Sequence, residues 1–223
     1  GPCAFMNQYD PKTVFSSIDK FGRYSFSNQP PITKWNLARL AECLIPLIDK
    51  DEDAAIKLAT ETIDNFQNIY EEKWANMMRD KLGLFGDNKD DKKLINDLLN
   101  WMELNKIDYT NTFCYLMNVK TPEINCYKTN EFIHWINRWK KRLNLKENSS
   151  SKYLDLMRIS NPIVIPRNHK VEEALIAANE NNLKLLKNLL TVLEDPYTDQ
   201  KNILDYQCPL PITEKKFQTF CGT

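Results

Sequence analysis

The chain has 223 residues, of which 42% are hydrophobic and 27% charged, ordinary values for a globular protein with a sizeable buried core. Lysine and arginine together number 30, as do aspartate and glutamate, so no global field draws the chain to nucleic acid or anionic lipid. The five glycines argue against a glycine-rich phosphate loop and against a sheet with many tight turns. We therefore expect no nucleic-acid partner.

The six cysteines are dispersed, and no two form a CxxC pair: Cys3, Cys43, Cys114, Cys126, Cys208 and Cys221. Because only two histidines accompany them, the sequence predicts no metal site within these residues. Dispersed thiols are typical of reduced cytosolic proteins, and no apolar run approaches the roughly 20 residues of a membrane span. The first residues also lack the basic and apolar regions of a signal peptide. We expect a cytoplasmic location and no membrane partner.

Residues 1–32 are predicted to form an arm that leads into the first helix. Gly22 can adopt the positive φ that a turn at this place requires. Alternating polar and aromatic side chains over Arg23–Phe26 predict a short, half-buried extended segment. Pro30 and Pro31 are expected to separate this segment from the helix, because proline interrupts both helices and sheet ladders.

From Thr33 onward, apolar residues at spacings of three and four predict a mainly α protein. Thr33 is the expected N-cap of the first helix, and Pro46 is expected to kink it or to mark its last turn. A single long helix is expected over residues 52–82, with Gly83 as its C-cap glycine. Further helical patterns follow at residues 94–102, 108–117, 132–143, 154–157, 171–178 and 183–193.

These patterns divide the chain into a helical lobe over residues 33–146 and a helical extension with a proline-containing tail over residues 152–223. The polar stretch Glu147–Ser151 is the best candidate for a linker. We expect the arm, the lobe and the extension to form one compact unit.

Two charge clusters allow a functional and a structural interpretation. The acidic residues in 49–53 could ligate a metal, but negative charge is also favourable at the N-terminus of the next helix. The basic run Arg138–Arg142 beside tryptophan could bind nucleic acid, but cations also complement the C-terminal end of a helix dipole. The balanced net charge favours the structural interpretation of the basic run.

Arg167 and His169 lie in a loop just before a predicted helix. Together with that helix N-terminus they could hold a phosphate or a carboxylate. Alternatively, their polar side chains cap the helix and pin the loop through hydrogen bonds, which is the interpretation we favour. Without further information, the residues describe a helical domain of unstated purpose.

Four segments resemble the selenoprotein O family (bacterial YdiU) in order and spacing. They are GPCAFMNQYDPKTVFSSID at the start, GRYSFSNQPPITKWNLARLAE, NPIVIPRNHKVEEAL and the final FCGT. The resemblance spans the whole chain and is loosest over about residues 49–152. It implies a protein-kinase-like (pseudokinase) fold, of which this chain would supply the activation-segment arm (1–32), the helical C-lobe (33–146) and a C-terminal extension (152–223).

The resemblance implies an activity: transfer of AMP from ATP, in the presence of Mg²⁺, to serine, threonine or tyrosine hydroxyls of other proteins. Gly1 and Pro2 resemble the last two residues of the family's metal-binding Asp-Tyr-Gly-Pro motif, whose aspartate would lie two positions before Gly1. The resemblance implies that the catalytic, nucleotide-binding and metal-binding residues lie upstream. We therefore expect no ATP or Mg²⁺ site in these residues, no AMP transfer by this chain alone, and the upstream half as its partner.

The resemblance also implies a redox feature. In bacterial relatives a cysteine of the activation segment pairs with one near the C-terminus, and Cys221 matches the latter. Phe15 stands at the expected position of the former, which leaves Cys3 as a substitute only if its Cα comes within about 7 Å of that of Cys221. An unpaired tail thiol is the interpretation we favour. Should the chain be eukaryotic, the family implies a mitochondrial location.

The alternative to an adenylyltransferase portion is a non-enzymatic helical protein-interaction module. Such a module would present an exposed apolar patch of more than a few hundred Å². A separated lobe would also expose apolar surface, at the place where the missing half docks.

Overall fold

The structure is a computed structural model that describes residues 5–122, 125–143, 150–201 and 203–209. Within these ranges the chain is helical, and the β structure consists of one isolated antiparallel bridge between Gln8 and Asp108. The prediction of a mainly α protein is confirmed. The helices are α1 (Gln29–Ile48), α2 (Glu52–Asp64), α3 (Phe66–Lys81), α4 (Asp91–Asn105), α5 (Tyr109–Leu116), α6 (Asn130–Leu143), α7 (Ser150–Ser160), α8 (Asn168–Asn179), α9 (Lys184–Glu194) and α10 (Leu204–Gln207), with 3₁₀ turns at Phe26–Asn28 and Asn125–Lys128.

The first helix begins four residues earlier than the sequence predicted. Pro30 and Pro31 lie in its first turn, where backbone N–H groups have no intrahelical acceptor. The absence of a proline N–H there therefore removes no hydrogen bond from the helix. Thr33 is therefore not the N-cap; its Oγ1 donates a hydrogen bond to the Gln29 carbonyl at 2.7 Å. Pro46 lies in the last turn of α1, as expected.

The predicted extended segment at Arg23–Phe26 was wrong. The chain forms a turn there and enters the 3₁₀ helix at Phe26. Asp19 organises the turn, since its carboxylate accepts hydrogen bonds from the backbone N–H groups of Arg23 and Tyr24, both at 2.8 Å. These local carboxylate bonds compete with strand pairing, which an alternating pattern alone does not reveal.

The predicted single helix over residues 52–82 was also wrong, because it is interrupted at Asn65. The two resulting helices have different neighbours: α2 packs mainly on α1, whereas α3 packs on α4 and α7. Apolar periodicity continues through the break, so the pattern could not reveal it. Asp51 caps α2 by accepting hydrogen bonds from the N–H groups of Asp53 and Ala54, which is the structural role foreseen for the acidic cluster.

Gly83 ends α3 with a positive φ of 68°. The Gly83 N–H bonds the Asp80 carbonyl at 3.0 Å and the Leu84 N–H bonds the Arg79 carbonyl at 2.9 Å, the two bonds of a Schellman motif. Position 83 also lies against α7, where a Cβ would come within 2.9 Å of the Tyr153 carbonyl oxygen. The predicted C-cap glycine is confirmed, and it also permits close packing of two helices.

The core is built around α4, α5 and α6. Two tryptophans of α6 extend into it and use their indole N–H groups: Trp135 donates to the Leu94 carbonyl at 2.8 Å, and Trp139 to the Leu82 carbonyl at 2.9 Å. Met157 of α7 and Ile163 after it belong to the same core. Within the described ranges, no helix combines the length and the hydrophobicity that crossing a membrane requires.

Candidate functional site

The arm lies on the start of α5, where two backbone hydrogen bonds flank the bridge at Gln8. The Tyr9 N–H donates to the Ile107 carbonyl at 2.9 Å, and the Tyr109 N–H donates to the Asn7 carbonyl at 2.8 Å. The rings of Tyr9 and Tyr109 stack with their centroids 5.8 Å apart. These contacts fix the described part of the arm, which leads directly to the segment that resembles the family's metal-binding motif.

Arg167 holds the arm against the start of α5. Its Nη1 donates to Asp108 Oδ2 and to Asn7 Oδ1, both at 2.7 Å, and its Nε donates to the Tyr206 carbonyl at 3.2 Å. The side chains of Arg167 and Asp108 are only 1% and 2% exposed. One guanidinium thus joins the arm, α5 and α10. Because it is buried and bonded to other parts of the chain, Arg167 pins a loop and does not form an anion site open to solvent.

Asp108 serves two partners at once. Besides pairing with Arg167, its Oδ1 accepts the Asn111 N–H at 2.8 Å and so caps α5. Nothing in the sequence reveals this cluster, because Arg167 lies 160 residues from Asn7 and 59 residues from Asp108. The short α10, which supplies the Tyr206 carbonyl, was likewise not predicted.

His169 does not join Arg167. It is the second residue of α8 and is buried, with an Nδ1 that has no hydrogen-bond partner within the described residues. Burial, together with the neighbouring Lys170 charge, lowers the pKa of His169. The expectation that these side chains cap α8 was wrong, because Arg167 occupies the N-cap position without a side-chain cap bond.

The two arginines of the basic run of α6 are paired with acidic side chains of α4. Arg138 contacts Asp97 at 2.7 Å, and Arg142 contacts the 2%-exposed Asp91 at 2.7 Å. Arg142 also donates to the carbonyls of residues 85 and 86 at 3.1 Å. These ion pairs give Arg138 and Arg142 a structural role, holding α6 on α4.

The residues singled out for the metal motif and for redox chemistry, Gly1, Pro2, Cys3 and Cys221, lie outside the described residues. Of the described cysteines, Cys114 is a buried residue of α5, and burial raises the pKa of its thiol to about 12. A thiol of that pKa stays protonated at neutral pH, so Cys114 acts there as a small core residue.

The chain matches the sequence profile of the family described as "Protein adenylyltransferase SelO" over residues 1–194. It is 56% identical to "Protein nucleotidyltransferase YdiU" of Pelagibacter ubique, over all of this chain and 46% of the relative. The proteins of the same name from Alcanivorax borkumensis and Nitrosococcus oceani are 49% and 47% identical, again over the whole chain and 46% and 45% of the relatives.

These matches define a class, that of proteins described as protein nucleotidyltransferases and, by the family description, as protein adenylyltransferases. Within that class, the chain belongs to the SelO family. The resemblance to selenoprotein O that the sequence indicated is confirmed. The chain spans about half the length of the curated relatives it matches.

Proposed function

We propose that this chain is the C-terminal portion of a protein adenylyltransferase that transfers AMP from ATP to serine, threonine or tyrosine hydroxyls of other proteins. The observation that carries the proposal is the family match over residues 1–194, together with identity of 45% or more to several relatives over the full chain. In this proposal the described helices are the C-lobe of a kinase-like fold and its extension, and the protein works in the cytoplasm.

The described residues are assigned a positioning role in this activity. In this proposal the ATP and Mg²⁺ site belongs to the upstream half, as the family resemblance implies, and the described residues are not part of it. Their contribution is to hold the described part of the arm, since the backbone bonds to Ile107 and Tyr109 and the Arg167 cluster fix Asn7 and Tyr9. A rigid support of this kind keeps groups at a catalytic site within the tolerance that chemistry requires.

A chimera tests the proposal. The matched part of the Pelagibacter ubique protein is replaced by this chain, and AMP transfer from ATP to protein is measured with ATP labelled at the α-phosphate, in the presence of Mg²⁺. We expect the chimera to transfer AMP as its parent does, and the 223-residue chain alone to transfer none. A folded but inactive chimera beside an active parent would contradict the proposal, and transfer by the chain alone would contradict the upstream location of the site.

The first helix offers a surface for the part of the protein outside this chain. Leucines of α1 at spacings of three and four form an exposed apolar stripe; Leu37, Leu40, Leu44 and Leu47 are 36%, 54%, 39% and 81% exposed. Contiguous exposed apolar surface of this kind is typical of an interface. We propose that the remaining half of the adenylyltransferase covers this stripe.

Substituting Leu40 and Leu47 by glutamate together should prevent that association. Because both side chains are exposed, we expect the stability of the chain itself to change by no more than about 0.5 kcal/mol per substitution. Binding is measured between the purified chain and the part of the Pelagibacter ubique protein outside the match. Leu104→Glu, at a residue of α4 that is 82% exposed, is the matched control and should bind normally. Unimpaired binding of the double variant would exclude the stripe as the docking surface.

A further inference from the structure

A pocket of ≈ 240 Å³ lies where the arm, α3, α5 and the loop after α7 meet. An apolar cavity of about 150 Å³ is large enough to bind benzene, so this pocket has room for a substituted aromatic ring. Its walls are mostly apolar and include Phe5, Met6, Phe26, Phe113, Pro162 and Ile165.

Lys81, the last residue of α3, lines this pocket and is only 9% exposed. Its Nζ lies 4.4 Å from the ring centroid of Phe113 and 5.4 Å from that of Tyr109, and both rings line the pocket as well. No carboxylate of the described residues pairs with this ammonium group. A buried lysine is almost always paired, so the pocket contains a cation whose natural complement, an anion, is not supplied by these residues.

Asn161 supplies a second unpaired group. Its Nδ2 donates to the carbonyls of Lys81 and Met157, at 2.9 and 2.8 Å, and these two bonds fix the orientation of the amide. Its Oδ1 is buried and has no hydrogen-bond partner within the described residues. Native proteins leave few buried polar atoms unpaired, so this oxygen calls for a donor.

We propose that this pocket binds a small aromatic carboxylate that carries a hydroxyl group. The carboxylate accepts a hydrogen bond from the Lys81 ammonium, the ring packs against the phenylalanine side chains, and the hydroxyl donates to Asn161 Oδ1. The charge-assisted bond provides most of the affinity, because both charges lie in a pocket of low dielectric constant.

Other small ligands satisfy the pocket less completely. A neutral aromatic molecule fills the apolar space but leaves the Lys81 charge unpaired. Inorganic phosphate pairs with the charge but leaves the apolar walls uncovered and brings a strongly hydrated ion into an apolar pocket. Only a ligand with an apolar body, an anionic group and a donor matches all three features.

The test uses the 223-residue chain and three probes: 4-hydroxybenzoate, 3-hydroxybenzoate and benzyl alcohol. Binding is measured at pH 7 by isothermal titration calorimetry and by ligand-observed NMR. We expect at least one hydroxybenzoate to bind about tenfold or more tightly than benzyl alcohol, since a hydrogen bond to a charged group has that effect or a larger one. If no hydroxybenzoate binds, the proposal is overturned and water is left to satisfy the two polar groups.

Lys81→Met separates the charge from the shape of the pocket. Removing an unpaired buried charge is expected to leave the fold intact, which a thermal melt verifies. We expect hydroxybenzoate to bind about 10- to 100-fold more weakly to this variant. Lys73→Met, at an exposed residue of the same helix, is the matched control and should bind as the unsubstituted chain does. Equal binding to the Lys81 and Lys73 variants would overturn the assignment of the carboxylate to Lys81.

The pH dependence gives an independent readout. Burial lowers the pKa of Lys81 to about 8, while burial raises the pKa of the facing Tyr109 hydroxyl and, to about 12, that of the Cys114 thiol. Among the described residues that line the pocket, Lys81 is therefore the group whose charge changes between pH 7 and 9. We expect affinity to fall about tenfold over this interval. Affinity that stays constant up to pH 9 would contradict a role for the ammonium form.

Benzoate tests the contact with Asn161. If the hydroxyl reaches Oδ1, the better of the two hydroxybenzoates should bind several-fold more tightly than benzoate, since a neutral hydrogen bond contributes about 1 kcal/mol. If both hydroxybenzoates bind no more tightly than benzoate, the hydroxyl contact is excluded.

Discussion

Arg167→Met is expected to lower the free energy of unfolding by about 3–5 kcal/mol, the usual consequence of removing one partner of a buried ion pair. The substitution would leave the Asp108 carboxylate without its 2.7 Å partner at 2% exposure, and would also remove the donor to Asn7. The arm would lose its polar anchor at the same time. Equilibrium urea unfolding, followed by far-UV circular dichroism, measures the change.

Arg158→Met provides the control for this prediction. Arg158 pairs with Asp155 at 3.3 Å, but the two side chains are 58% and 66% exposed. Solvent screens such a pair, so we expect a change of less than about 1 kcal/mol. If Arg167→Met destabilised the protein no more than Arg158→Met, the buried cluster would not be the anchor that its geometry indicates.

Gly83→Ala is expected to have the second largest effect. A residue with a side chain at φ +68° is strained by about 1–2 kcal/mol. In addition, the new Cβ would lie 2.9 Å from the carbonyl oxygen of Tyr153, an atom of the α7 backbone that cannot rotate away. Overpacking of this kind costs about 1–3 kcal/mol more, so α3 and α7 should move apart and the melting temperature should fall.

Gly86→Ala isolates the strain from the clash. Gly86 has the same φ of +68°, but a Cβ there would have no atom within 4 Å. We expect this variant to show only the conformational cost of about 1–2 kcal/mol. Thermal unfolding is measured for both variants, and the difference between their losses of stability gives the contribution of the clash with α7. Equal melting temperatures would mean that α7 can yield at position 83 without loss.

The elements predicted correctly from sequence are those that depend on nearby residues. The apolar spacing of α4, α5 and α6 reflects the helical repeat of one face. Gly83 and Pro46 act through their own backbone preferences, so their roles can be read directly. The errors lay where a local rule has two outcomes: a double proline can precede a helix or form its first turn, and an apolar stripe can continue across a break.

The amino-acid sequence by itself determined that the chain is helical and belongs to the SelO family, because periodicity and family motifs are local or linear properties. Only the tertiary structure decided what Arg167 does, since its partners Asn7 and Asp108 are distant in sequence. The same holds for Lys81 and Asn161, which are ordinary polar residues in sequence. Only the fold buries both beside one pocket, where, within the described residues, Lys81 has no carboxylate partner and Asn161 Oδ1 has no hydrogen-bond partner. The free energy of a polar group depends strongly on whether it is buried, and burial is a property of the fold and not of the residue type.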